Sequence, residues 1–156
     1  MKKYLLTSLL CLTLITPIMA NNVADKEQAL VTTVHTLKHI IQNALSEEQA
    51  KAELNKIPQT KPFIKDKLYM GHKLFENTKL VGLLRVTYQN KKPALAAYST
   101  VPMKVRHATK LYRSYRETLS KHYKEISRNH FDLGDGIIAE LRKKKNGLSV
   151  FVNQKK

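Results

Sequence analysis

Apolar residues in the first third of the chain recur every three or four positions. Leu30, Val34, Leu37, Ile41, Ala44 and Leu45 fall on one helical face. Ser46-Glu47-Glu48-Gln49 fits a capping box, in which the serine side chain accepts from a free amide and Gln49 reaches back. The pattern therefore predicts a helix near 24–45 and a shorter one near 47–57 that buries Ala50, Leu54 and Ile57. Pro58 and Pro62 disfavour helix and mark a linker or elbow. Beyond them the period falls to two. Leu68, Met70, His72 and Leu74 alternate with polar or small residues, Leu80 to Tyr88 is rich in Val and Leu, and 94–101 supplies a third extended run. Three such runs predict an antiparallel meander.

After Pro102 the helical period returns and runs from Met103 to His130. Ala108, Leu111, Tyr112, Tyr115, Leu119, Tyr123 and Ile126 share one face. Asp132–Gly136 reads as a stop and turn. Strands at 137–142 and 148–152 then form a hairpin through Asn146-Gly147, a pair favoured in type I′ turns. No internal sequence repeat is visible. The expected fold class is α+β: two N-terminal helices, then a three-stranded meander and a C-terminal hairpin flanking one long amphipathic basic helix.

Residues 1–20 change the picture of where the chain goes. Lys2 and Lys3 precede an 11-residue apolar run from Leu5 to Ile15, too short to span a bilayer. Pro17 follows, and Ala20 is the small residue expected before a cut. The segment reads as a signal peptide of bacterial type, with export to the periplasm or the medium after cleavage near Ala20. The remainder, 21–156, is expected to form a single domain. Cys11, the only cysteine, lies in the signal, so the exported chain has no disulfide and no thiol chemistry.

Charge divides the exported part. Residues 21–60 are near neutral, with four Lys and five acids, whereas 61–156 hold 22 basic and seven acidic residues. The helical pattern from 103 to 130 sorts Arg106, Lys110, Arg113, Lys121, Lys124 and Arg128 onto the face opposite the apolar stripe. Arg142-Lys143-Lys144-Lys145 adds a basic turn. Together these form a candidate footprint for an anionic polymer or an anionic membrane surface. A solvated face is the plainer reading of the same charges. The tyrosines lie on the apolar side, which argues for core and against base stacking.

Candidate chemistry is sparse. His35 and His39 have the i,i+4 spacing of two metal ligands, but HTLKH lacks the glutamate of a zinc protease and two ligands do not complete a site. His122 falls between Leu119 and Ile126 on the apolar face, as a core or groove histidine or as a general base. With His107, His130, Glu117 and Glu125 it supplies the residue types of a small ribonuclease, though not on one face. No cofactor motif occurs. The sequence favours a non-enzymatic binding protein for an anionic partner. A second reading is an envelope or secreted accessory protein that meets a protein partner through the near-neutral segment. A third is a small His-dependent hydrolase.

Overall fold

A computed structural model describes residues 22–66, 69–76 and 79–155. The signal segment and its cleavage point lie outside these residues. Helices α1 (Asn22–Gln42) and α2 (Glu47–Asn55) lead into strands β1 (Thr60–Asp66), β2 (Tyr69–Glu76), β3 (Lys79–Gln89) and β4 (Lys92–Thr100). Helix α3 (Val105–His122) precedes β5 (Lys124–Ser127), β6 (His130–Gly134), β7 (Ile137–Lys144) and β8 (Gly147–Gln154). All eight strands form one antiparallel sheet in the order β1-β2-β3-β4-β8-β7-β6-β5. The α+β class therefore holds, and the chain is built as two helix-plus-meander halves joined where β4 meets β8.

The helices cover one face of the sheet. Leu30, Val34, Leu37, Ile40 and Ile41 of α1, Ala50 and Leu54 of α2 and Leu119 of α3 are buried in one cluster. The inward residues Leu84, Val86, Ala96, Phe131, Ala139, Leu141, Val150 and Val152 complete it. Full burial of each large aliphatic side chain contributes about 1.5–3 kcal/mol. The expected capping box is present: Ser46 Oγ accepts from the Gln49 amide, and Gln49 Oε1 accepts from the Ser46 amide. Tyr88 donates its hydroxyl to the Leu45 carbonyl and ties the α1–α2 junction to β3; burial and nearby Glu47 push its pKa up to about 12.

Four features differ from the sequence pattern. The first meander has four strands rather than three, because β1 begins at Thr60, inside the expected linker. Pro62 is tolerated there because β1 is an edge strand, where a missing amide hydrogen is harmless. The long helix stops at His122. Tyr123 turns extended (φ −136, ψ 148), and residues 124–127 pair with β6 instead of continuing the helix.

The third difference is that strand β6 occupies 130–134, so the expected stop contains a strand and the turn itself is Asp135-Gly136, both at positive φ. The last is that the β7–β8 hairpin does not use a type I′ turn at Asn146-Gly147, since neither residue has positive φ. Gly147 opens β8 instead. A Cβ at that position would lie 2.8 Å from Thr100 Oγ1, so closeness to β4 is what requires glycine. Paired positive-φ residues of the I′ kind join β3 to β4 at Asn90-Lys91.

Candidate anionic-partner surface

The N-terminal half of α3 carries the best-formed basic surface. Arg106, Lys110 and Arg113 are exposed on its solvent side, while Ala108 and Leu119 are buried and Leu111, Tyr112 and Tyr115 pack against the core. Among the described residues none of these three cations has an acidic partner. Lys143 joins them: its Nζ donates to Thr109 Oγ1 at 2.9 Å, which lays the end of β7 along the helix. Lys104, at the N-cap, makes no side-chain capping bond, and the first turn of α3 has no acid. The positive end of the helix dipole therefore adds to the side-chain charge.

The remaining basic candidates are distributed differently. Lys121 is on the helix but is engaged by Glu27 at 3.3 Å and Glu117 at 3.7 Å. Lys124 and Arg128 do not lie on the helix: Lys124 is in edge strand β5 and Arg128 is in the β5–β6 turn. Alternation along β7 splits the basic run. Arg142 and Lys144 point to the sheet face away from the helices, opposite to Lys143. Arg142 is also occupied, clasping Glu140 through Nε at 2.5 Å and Nη2 at 2.7 Å and lying 4.8 Å over the Phe151 ring. Lys145 is exposed in the turn.

The histidines do not assemble a catalytic group. His122 is exposed at the end of α3, not in core or groove, because the helix ends there and Ile126, its expected neighbour, is itself exposed in β5. His107 is exposed near the other end of the helix. Glu125, the potential acid, is held by Arg116 Nη2 at 3.0 and 3.1 Å and accepts the Asn129 amide at 2.9 Å. These donors lower its pKa, the Asn129 amide most. His130 Nε2 faces Glu140 at 3.9 Å on the opposite sheet face. His35 and His39 are exposed, and His39 Nδ1 is 2.9 Å from Asn43 Nδ2. Among the described residues no three His, Cys, Asp or Glu side chains converge as metal ligands.

One histidine that the strand pattern treats as ordinary is fully buried. His72, on the inward side of β2, is 0% exposed, with Nε2 2.8 Å from Asn55 Oδ1 and Nδ1 without a hydrogen-bond partner. Its alternation with Leu74 signals an inward position; the partner on α2 leaves no trace in the sequence pattern. No helix among the described residues is long and apolar enough to cross a membrane. Searches of family models, curated proteins and solved structures find no match to this chain.

Proposed function

We propose that the protein is an exported, non-enzymatic binder of an anionic polymer or anionic membrane surface, contacting it through the N-terminal half of α3 and the adjoining Lys143. The observation that carries this reading is the row Arg106, Lys110 and Arg113. It is continuous over two helical turns, solvent-facing, and unneutralised by acids among the described residues. Each cation that meets a phosphate or similar group releases a condensed counterion, so binding is driven by charge and weakened by salt. Lys124, Arg128 and Arg142 contribute little to this surface, because they sit elsewhere or are already paired. A protein partner is less favoured: the apolar side of α1 is consumed by the core and offers only its polar side.

Retention on heparin and on duplex DNA, followed as salt is raised, tests the reading. The double substitution Lys110→Glu, Arg113→Glu is expected to abolish retention at moderate salt while leaving the unfolding midpoint nearly unchanged, since both side chains are solvated. Wild-type behaviour in the double variant would reject α3 as the contact surface. Export predicts a mature chain beginning at Asn21, which intact-mass measurement of exported material checks; retention of residues 1–20 in a membrane fraction would reject the soluble form.

A further inference from the structure

The apolar stripe of α3 runs out past the core. Val105, Ala108, Tyr112, Tyr115 and Leu119 keep one helical spacing. Ala108 and Leu119 are buried and both tyrosines pack against the core, but Val105 is 49% exposed. Among the described residues the other large hydrophobic so exposed is Ile126, in edge strand β5. Pro102 is exposed just ahead of Val105, and Met103 is half-buried. The residues that lead into α3 therefore form an apolar tip rather than one stray side chain.

The β7–β8 turn holds that tip in place. The Met103 amide donates to the Asn146 carbonyl at 2.7 Å, and Lys143 Nζ reaches Thr109, one turn beyond Val105. Cations flank the tip on both sides: Lys104 and Arg106 next to it in sequence, Lys143 and Lys145 from the turn. Round the helix, Arg106, Lys110 and Arg113 lie about 80–140° from Val105, so one flat surface meets the basic row and the tip together. Neither 101–116 nor 141–147 contains an acidic residue.

This combination favours a bilayer over a polymer. A soluble polyanion rewards cations and, if it is single-stranded nucleic acid, exposed aromatics on which bases stack. The tyrosines of α3 are turned to the core, and an exposed aliphatic tip gains nothing from a chain of phosphates. At a membrane surface both features count. Anionic headgroups attract the cations, each strengthening binding about fivefold, and the boundary between headgroups and acyl chains takes up apolar side chains.

We propose that the exported protein docks on an anionic lipid bilayer. The Pro102–Val105 tip enters the headgroup boundary, and Lys104, Arg106, Lys110, Lys143 and Lys145 lie against the headgroups. This rests on the anion-binding reading of α3 above and names its partner, a lipid surface met without being crossed.

The test uses vesicles of phosphatidylglycerol mixed equally with phosphatidylcholine. The chain has no tryptophan, so Val105→Trp sets a lone fluorescent reporter at the tip. A blue shift and quenching by brominated acyl chains are expected with these vesicles, and neither with phosphatidylcholine alone or with duplex DNA. Val105→Ser is expected to weaken vesicle binding about fivefold and to leave heparin retention unchanged; it carries the test if tryptophan disturbs the start of the helix. Lys110→Glu, Arg113→Glu should weaken vesicle binding at least about twenty-fold. Wild-type retention on heparin with no vesicle binding overturns the proposal and leaves α3 as the contact for a polymer. Vesicle binding that is equal in wild type and Val105→Ser, with no blue shift in Val105→Trp, overturns it as well. Failure of the wild type on heparin, DNA and vesicles alike rejects the α3 surface itself.

Discussion

His72 shows how a single buried side chain imposes a pH limit. Asn55 Oδ1 accepts from Nε2–H, which leaves Nδ1 as the bare lone pair of a neutral ring. Burial holds the pKa below the usual 6.5. The charge of Lys51 on α2 lowers it further, against a smaller opposing contribution from the Gly71 backbone. The sign of the linkage follows. Below 6.5 the unfolded chain takes up a proton that the folded chain refuses, so stability is fully present above 6.5 and is lost as pH falls from there toward the depressed folded value. Urea midpoints at a series of pH values are expected to decline below 6.5 in the wild type and to show a smaller decline in His72→Leu. An equal decline in both would assign the acid sensitivity to other groups. Asn55→Ala is expected to cost about 1 kcal/mol at neutral pH through loss of the hydrogen bond.

Elements were legible wherever local signals and tertiary packing agree. Both N-terminal helices, the Ser46–Gln49 cap, the strands around Leu84 and Tyr98 and the start of α3 can be read from period and capping, because burial on one face enforces the same spacing. The 123–127 segment was not legible. Leu119, Tyr123 and Ile126 keep helical spacing, yet the segment is recruited as a strand by β6. Only Asn129 hints at a turn, with φ 65, its carbonyl accepting the Leu141 amide and its side chain the Tyr112 hydroxyl. The end of α3 at His122 takes Lys124 and Arg128 off the proposed contact surface and leaves His122 in solvent. Strand β1 escaped for a different reason: Pro62 argues against a central strand, and edge position cannot be seen without the sheet order. Within the β5–β6 hairpin, Glu125 grips the turn through Arg116 and the Asn129 amide. Its lowered pKa means that this grip is present above the ordinary 4.5 and fails as pH falls through the folded value. The Asn129 amide resonance is expected to titrate with a midpoint below 4.5 and to lose that titration in Glu125→Gln; persistence in the variant would assign it to a different carboxylate.

At the scale of the whole molecule, the charge of 61–156 is partitioned by the sheet. Arg106, Lys110 and Arg113 face outward on α3, whereas Arg142 and Lys144 lie on the sheet face away from the helices. Simultaneous contact of one rod-like polymer with both faces is excluded by this placement. On the proposed reading α3 would meet three or four phosphates, and the slope of log K against log salt on duplex DNA is expected to be about −3. Lys110→Glu, Arg113→Glu should flatten it by about two units; a slope much steeper than −3 in the wild type would mean that further cations are engaged. The sheet order has another implication, for the chain as it is made. Seven strand pairs close the sheet, and six of them join strands adjacent in sequence. The seventh, β4 with β8, waits until about fifty more residues have emerged. Until then β4 is a bare edge with unpaired amides and carbonyls, the sort of template on which strands of separate molecules pair. A nascent chain of this design therefore passes through an interval in which its N-terminal half is adhesive and unfinished, and whatever escorts it must shield that one edge.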